Sequence, residues 1–241
     1  MSIFIYALTQ RSGKRAIFRG SLFLNYANIA DMEVITSHIN ADFDTFASMI
    51  AAKKLYPEAR LVFCSSLEKG LRDGLETLQT PFPIDKIKDI DLDKVTRVIL
   101  VDVSHPGRIG PFADVVKRPG VDVHVYDHHP ATPEDVIGSV VVRKPYGSNT
   151  SVITLILKER GITLTPQEAT ILMTGIYEDT GFLSYPSTAP QDFEAASFLL
   201  SFGADLTTVS DLLRKELTPE EVALLNEFLQ SETKYTIGGV E

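Results

Sequence analysis

Short apolar runs alternate with helical patterns of apolar residues between Glu33 and about Arg143. Runs of this length, separated by helices, are typical of parallel strands that are covered on both faces. We therefore expect an α/β fold with a parallel β-sheet and helices on both of its faces. The predicted strands are 33–38, 60–64, 97–102, 121–126 and 139–142.

The predicted helices fall into two groups. Crossover helices are expected at 45–55, where Asp44 or Thr45 would cap the N-terminus, and at 66–79 and 107–118. After Gly147 the pattern becomes almost entirely helical, which predicts a mostly helical C-terminal part. Its helices are predicted from Ser148–Thr150 to Gly161, from Pro166 to the neighbourhood of Asp179, and over 190–202, 206–214 and 218–231.

Two boundaries are expected along the chain. Residues 1–31 lie outside the periodic pattern and are interpreted as an N-terminal extension; Met32 is a candidate natural start, and an extra strand or a partner-binding arm is the alternative. Residues 32–231 form the expected domain. The segment 232–241 has the pattern of a connection entering a strand, which indicates the start of a linker to a C-terminal domain.

Composition limits the environment in which the chain works. It has 241 residues, 44% of them hydrophobic, and a single cysteine, Cys64, so no intrachain disulfide can form and a reducing cytoplasm is expected. No apolar run approaches the roughly 20 residues of a membrane-spanning helix. The net charge of −9 argues against bulk attraction to nucleic acid, although bound divalent cations would neutralise several carboxylates.

Histidines and aspartates stand where the predicted strands end. Asp127, His128 and His129 directly follow the run 121–126, and Asp102 ends the run before it. Open α/β sheets place their chemistry at this edge, where the carboxyl ends of the strands meet. Two imidazoles and four carboxylates are therefore expected to form a metal cluster: His38, Asp42, Asp44, Asp102, His128 and Asp179.

This donor set suits two divalent ions that clamp a phosphoryl group between them and activate water. We expect His38 and Asp42 to reach one ion, Asp44 to reach the other, and Asp102 to bridge them. Oxygen-rich ligands with one imidazole per ion favour Mn²⁺, two per chain, with Mg²⁺, Co²⁺ or Zn²⁺ as alternatives. The absence of thiolates argues against a structural zinc site.

Other polar residues near the strand ends are assigned to catalysis or substrate binding. His129 is expected to donate to the substrate phosphate, and Asp127 to hold an imidazole in the required tautomer. Arg108 is interpreted either as a phosphate contact or as a rim residue. Ser148 and Asn149 either cap a helix or bind phosphate at its N-terminus.

The chain resembles the DHH phosphoesterase family, which is named after the Asp-His-His motif found here at 127–129. The resemblance covers about residues 33–230. The departures are Ala41, where many members have proline, and Phe43, where a small residue is common. Four motifs match in order, together with a Gly147-Ser148 loop: His38-x3-Asp42-x-Asp44, Asp102, Asp127-His128-His129, and Asp179 within the segment 175–181.

The resemblance implies a Mn²⁺- or Mg²⁺-dependent hydrolase of phosphoanhydride or phosphodiester bonds. Short oligonucleotides or dinucleotides are the expected substrates, and a manganese-dependent inorganic pyrophosphatase is a further alternative. A degenerate, non-hydrolytic binding module is disfavoured because the ligand set is intact.

The wording of the first motif, His-x-Asn-Ala-Asp-Phe-Asp, also resembles the subgroup fused to CBS (nucleotide-sensing) domains and a tRNA nucleotidyltransferase or poly(A)-polymerase-like region. In that case the domain would trim or bind RNA or nucleotides, and its partner would be a C-terminal domain of the same polypeptide.

Overall fold

A computed structural model describes residues 32–214 and 219–231 of the chain. This part forms a six-stranded, wholly parallel sheet in the order β3-β2-β1-β4-β5-β6, which confirms the predicted fold class. The expectations for residues 1–31 and 232–241 lie outside the described residues. The strands are β1 (Met32–Thr36), β2 (Arg60–Phe63), β3 (Ile84–Lys86), β4 (Val95–Val101), β5 (Asp122–Asp127) and β6 (Val140–Arg143).

Helices cover the sheet and make up most of the chain after β6. Three short 3₁₀ turns also occur, at Ile87–Asp89, Leu92–Lys94 and Pro106–Arg108. No helix in the described residues is long and apolar enough to cross a membrane. The helices are α1 (Phe43–Leu55), α2 (Lys69–Leu78), α3 (Phe112–Val115), α4 (Asn149–Glu159), α5 (Pro166–Asp179), α6 (Pro190–Ser201), α7 (Leu206–Leu213) and α8 (Pro219–Gln230).

The order of the strands indicates where in the fold the candidate site lies. Strands β2 and β3 extend the sheet on one side of β1, and β4, β5 and β6 extend it on the other, so the winding reverses between β1 and β4. Ligands of open α/β sheets bind at such a reversal, outside the carboxyl ends of the strands. Here Thr36 pairs with Leu100, and Val101 with Tyr126, so β1, β4 and β5 end at nearly the same level.

Alternate residues of each strand enter different apolar layers. Ile35 and Ile99 pack with α1, α4 and α5 on one face, whereas Val34 and Leu100 pack on the other face against the chain around α3. Successive side chains of a strand point to opposite faces, so both faces of these central strands must be apolar. The continuous apolar runs in the sequence have this origin.

Three local predictions were wrong. The expected helix at 107–118 is replaced by the 3₁₀ turn at Pro106–Arg108 and the single-turn α3, because Gly110 adopts a left-handed backbone (φ +54°) that interrupts helical geometry. The three-residue strand β3 was not predicted. Helix α1 is capped by Asp42, whose side chain accepts a hydrogen bond from the backbone N–H of Thr45, and not by Asp44 or Thr45.

Gly175 is the point of closest approach between α5 and its neighbours. A Cβ atom at this position would lie 2.6 Å from both the Cβ of Ala47 on α1 and the Oγ1 of Thr150 on α4. Real Cβ atoms do not come so close to other atoms, so only glycine lets these three helices pack at this distance.

We predict that Gly175→Ala lowers the free energy of unfolding by about 1–3 kcal/mol, the usual cost of overpacking a core. Gly70→Ala is the matched control, because the nearest atom to its new Cβ is the ring of Phe43 at 3.7 Å. Alanine is also the better helix former, so we expect the control to be unchanged or up to about 1 kcal/mol more stable. Urea unfolding curves measure both, and equal stability of the two variants would contradict the packing argument.

Candidate metal centre

Three strand ends and two helix ends bring the six predicted ligands together. His38 lies two residues beyond β1, Asp102 directly follows β4, His128 directly follows β5, and Asp179 is the last residue of α5. Asp42 caps α1 and Asp44 lies in its first turn. Helix α1 therefore contributes two carboxylates to a site whose other members come from distant parts of the chain.

The loop backbone is unusual at two of these strand ends. Asn40 (φ +58°) and Asp102 (φ +59°) adopt the left-handed conformation. Asparagine and aspartate are the non-glycine residues that reach this region most readily, because their short polar side chains can hydrogen-bond locally. A left-handed residue at the end of β4 turns the chain sharply where Asp102 meets the site.

Asp102 lies between two groups of ligands. Its Oδ2 is 3.3 Å from Nε2 of His38, which is itself 3.9 Å from Oδ2 of Asp42. Its Oδ1 is 3.3 Å from Nε2 of His128, which is 3.4 Å from Oδ2 of Asp179. We call His38, Asp42 and Asp102 the first ligand group.

The second ligand group consists of Asp44, His128 and Asp179, whose ligand atoms lie within 4.8 Å of one another. The Oδ1 of Asp102 faces this group. One carboxylate therefore presents a different oxygen to each group, which is one way in which a carboxylate can bridge two ions.

Buried polar atoms without a hydrogen-bond partner indicate whether these residues suit metal ions. Asp102 Oδ1 and His128 Nε2 are buried and have no hydrogen-bond partner among the described residues, which is rare for buried polar atoms. The Nδ1 of His128 donates to the carbonyl of Tyr146 (3.0 Å), and that of His38 to the carbonyl of Ile39 (2.8 Å). Each imidazole thus turns Nε2 toward the carboxylates. In metal-binding histidines, a hydrogen bond from the other ring nitrogen commonly fixes the ring in this orientation.

The charges of the cluster also favour cations. Burial, together with the charges of Asp44 and Asp102, raises the pKa of Asp179 to about 9. Burial and the charge of Asp102 likewise raise the pKa of Asp44 to about 7. Burial alone would lower the pKa of His128, but the neighbouring carboxylates of Asp102 and Asp44 raise it to about 10. Crowded carboxylates hold protons in this way, and divalent ions relieve the same repulsion.

Asp127 and His129 form a pair beside the ligands. The Nδ1 of His129 donates to Oδ1 of Asp127 (2.8 Å), and Asp127 is buried while the His129 side chain is 46% exposed. Burial opposes ionisation of Asp127, but hydrogen bonds from His129 and Ser104 lower its pKa below the usual value. The Nε2 of His129 has no partner among the described residues. Asp127 therefore holds the His129 ring through this hydrogen bond, and its role as an orienting residue in catalysis stays a prediction.

Asp44 is bound to the N-terminus of α4. Its two oxygens accept hydrogen bonds from the backbone N–H groups of Asn149 (2.8 Å) and Thr150 (3.0 Å). Ser148 caps the helix, and the side chain of Asn149 donates to Ser48. The backbone N–H groups at the start of α4, where a phosphate was the alternative partner, thus bond with the carboxylate of Asp44. Ser148 and Asn149 are fully buried. A substrate-binding role for these two residues stays a prediction.

Arg108 lies in a small cleft next to the cluster. The cleft measures about 110 Å³ and is also lined by His105, Asp127 and His129. The Arg108 side chain is exposed, and its carbonyl accepts a hydrogen bond from the backbone N–H of Ile39. This position is compatible with a phosphate contact, which stays a prediction.

Two residues were assigned no role in the metal centre from the sequence, although Thr45 was named as a candidate helix cap. Glu178 accepts hydrogen bonds from the backbone N–H groups of Phe43 (2.7 Å) and Asp44 (3.2 Å), and burial with the charge of Asp42 raises its pKa to about 8. Thr45 contacts the first ligand group through its hydroxyl. Glu178 stands next to Asp179 in the sequence, and Thr45 next to Asp44, but adjacency alone could not indicate these contacts.

A parallel sheet with a carboxylate- and imidazole-rich cluster at its winding reversal defines an open α/β domain with a candidate metal centre at the usual position for ligands. The chain belongs to the DHH family: the family's N-terminal domain matches residues 33–176. This confirms the family resemblance seen in the sequence motifs.

The chain is also similar to two known proteins and to one solved structure. An A-adding tRNA nucleotidyltransferase of Geobacter sulfurreducens is 50% identical over 87% of this chain, which spans only 24% of that protein. A probable bifunctional oligoribonuclease and PAP phosphatase, NrnA, of Streptococcus mutans is 26% identical over 83% of this chain and 61% of its own length. An exopolyphosphatase-related protein from Bacteroides fragilis has the same fold, with a TM-score of 0.69 at 20% identity, covering 85% of this chain and 62% of its own.

The two adjacent histidines should respond differently to substitution. We predict that His128→Ala weakens metal binding, with activity partly restored at high Mn²⁺, because its Nε2 faces Asp102 and Asp179. His129→Ala should leave metal affinity nearly unchanged and lower turnover roughly 10²–10³-fold, the usual effect of removing one charge-stabilising donor. Mn²⁺ titrations of both variants measure the difference, and equal loss of metal would show that both histidines are ligands.

Proposed function

We propose that this chain is a two-metal phosphoesterase that hydrolyses the phosphodiester bonds of short oligonucleotides or dinucleotides, with two Mn²⁺ ions as its cofactor. The observation that carries the proposal is the position of Asp102, whose two oxygens each lie 3.3 Å from a different imidazole. A carboxylate shared in this way joins two ion sites into one centre.

Each residue of the centre has a proposed task. When bound, the two ions would supply positive charge to the phosphoryl group and lower the pKa of water. Asp102 would hold the two ligand groups at a fixed separation. His129, oriented by Asp127, would contact a phosphoryl oxygen through Nε2 and stabilise the charge that develops there. Arg108 would bind a second phosphate in the cleft that it lines together with His129.

Two observations support a short substrate. The net charge of −9 disfavours bulk electrostatic attraction to a long phosphate backbone, on which affinity for long nucleic acids depends. The cleft beside His129 is also small, at about 110 Å³. The Streptococcus mutans relative is named as a probable oligoribonuclease, which agrees with this substrate class. We further infer a cytoplasmic location, because the single cysteine is buried and unpaired.

A substrate panel tests the proposal. The protein would be incubated with Mn²⁺, Mg²⁺ or Co²⁺ and with a linear dinucleotide, a cyclic dinucleotide, pyrophosphate or a 24-nucleotide RNA. We expect the fastest hydrolysis with the linear dinucleotide and Mn²⁺. Preferential cleavage of pyrophosphate would favour the pyrophosphatase alternative, and no hydrolysis with any ion would favour a binding module.

Asp102→Asn should reduce hydrolysis of every substrate to the background rate. The neutral amide cannot offer a charged oxygen to both ligand groups, whereas asparagine adopts the left-handed backbone of this position as readily as aspartate. We therefore expect a normal circular-dichroism spectrum. Asp73→Asn is the control, because Asp73 is exposed on α2 and pairs with Lys69 on the same helix. Full activity of Asp102→Asn would refute the shared-carboxylate centre.

A second candidate function rests on the Geobacter sulfurreducens relative. Because this chain matches only 24% of that tRNA nucleotidyltransferase, the domain is proposed as one module of a polypeptide that also contains CBS and nucleotidyltransferase regions. The module would trim or bind the RNA on which the other regions act. In such a polypeptide, Asp102→Asn should abolish phosphoesterase activity and leave nucleotide addition intact, and loss of both would show that the activities depend on one another.

A further inference from the structure

Thr45 is in contact with every member of the first ligand group. Its hydroxyl donates to Oδ2 of Asp102 (2.8 Å) and lies 2.6 Å from Nε2 of His38. Its backbone N–H donates to Oδ1 of Asp42 (2.9 Å), which leaves Oδ2 as the oxygen that faces His38. The side chain is fully buried.

The hydroxyl of Thr45 does not bond with the backbone of its own helix. Thr170 and Thr174 on α5 donate to the carbonyl four residues earlier, which is the common arrangement. Thr45 instead donates across the site to Asp102, 57 residues away in the sequence. The helix thus aims a polar group at the centre and not at its own backbone.

The distances distinguish an orienting group from a ligand. Two neighbouring ligands of a six-coordinate ion, each about 2.1 Å from it, lie about 3.0 Å apart. The 2.8 Å contact of the Thr45 oxygen with Asp102 Oδ2 is shorter than this and matches the hydrogen bond that the hydroxyl donates. In contrast, the 3.3 Å between His38 Nε2 and Asp102 Oδ2 is close to the separation of two ligands.

We propose that Thr45 is a positioning residue that sets the metal affinity of the first ligand group and leaves that of the second group unchanged. This inference rests on the proposed two-metal function. The hydroxyl fixes the Asp102 oxygen that faces His38, and the backbone N–H fixes Asp42. The second group is oriented by other partners, namely the carbonyl of Tyr146 and the N-terminus of α4.

The test compares Thr45→Val, which removes the hydroxyl at nearly constant shape, with Thr45→Ser, which keeps it. Mn²⁺ binding is followed by electron paramagnetic resonance of the free ion, so the readout is independent of activity. Removal of a group that orients a metal ligand costs roughly 10–100-fold in affinity. We expect Thr45→Val to bind Mn²⁺ roughly 10–100-fold more weakly at one of its two sites. Thr45→Ser should bind Mn²⁺ like the wild type.

Thr154→Val is the matched control for a buried helical threonine. Its hydroxyl is fully buried on α4 and has no hydrogen-bond partner among the described residues. We expect this variant to bind two ions with wild-type affinity. Thermal melting of all variants checks that each is folded.

Two reference variants show which ligand group contains the weakened Mn²⁺ site. The isotherm of Thr45→Val should resemble that of His38→Ala, which belongs to the first group, and should differ from that of Asp179→Asn, which belongs to the second. Wild-type affinity at both sites in Thr45→Val, or equal loss at both, would overturn the positioning role. A wild-type protein that binds no ion would instead refute the proposed function itself.

Discussion

The Asp102 carboxylate is the constraint on which the rest of the site depends. It must lie within reach of His38 on one side and of His128 on the other, and these residues follow strands on opposite sides of β4. Only a residue at the end of the strand between β1 and β5 meets both. The parallel register that ends these three strands at one level is therefore a requirement of the chemistry as well as of the fold.

Burying a cluster of carboxylates costs free energy, and the fold offsets part of this cost with the dipoles of backbone N–H groups. Asp44 accepts two N–H groups from the N-terminus of α4, and Glu178 accepts two from the N-terminus of α1. Helix N-termini favour negative charge, and their first N–H groups need acceptors in any case. The remaining repulsion, visible in the raised pKa values of Asp44, Asp179 and Glu178, is what bound cations would remove.

The sequence predicted the parallel sheet and the convergence of the six ligands because both follow from periodicity and topology. Residues after parallel strands meet at one edge, whatever the details of their loops. The sequence did not indicate features that depend on a shift of one or two residues, because a predicted helix boundary is uncertain by about that number of residues. Shifting the cap of α1 from Asp44 to Asp42 changes which side chains of the first turn face the site, and the role of Thr45 depends on that shift. The left-handed Gly110 that ended the expected helix at 107–118 was likewise invisible in the apolar pattern.

The bonds between Asp44 and α4 have a consequence for how such a domain can change over evolutionary time. Asp44 faces the second ligand group and also joins α1 to α4, which pack around Gly175 of α5. His129 is half-exposed, and its hydrogen bonds among the described residues go to Asp127, so selection for folding places less demand on it. In a lineage that no longer needed hydrolysis, His129 would be free to drift. Asp44 would be retained by its structural task, and its presence in a descendant would say little about whether catalysis had survived.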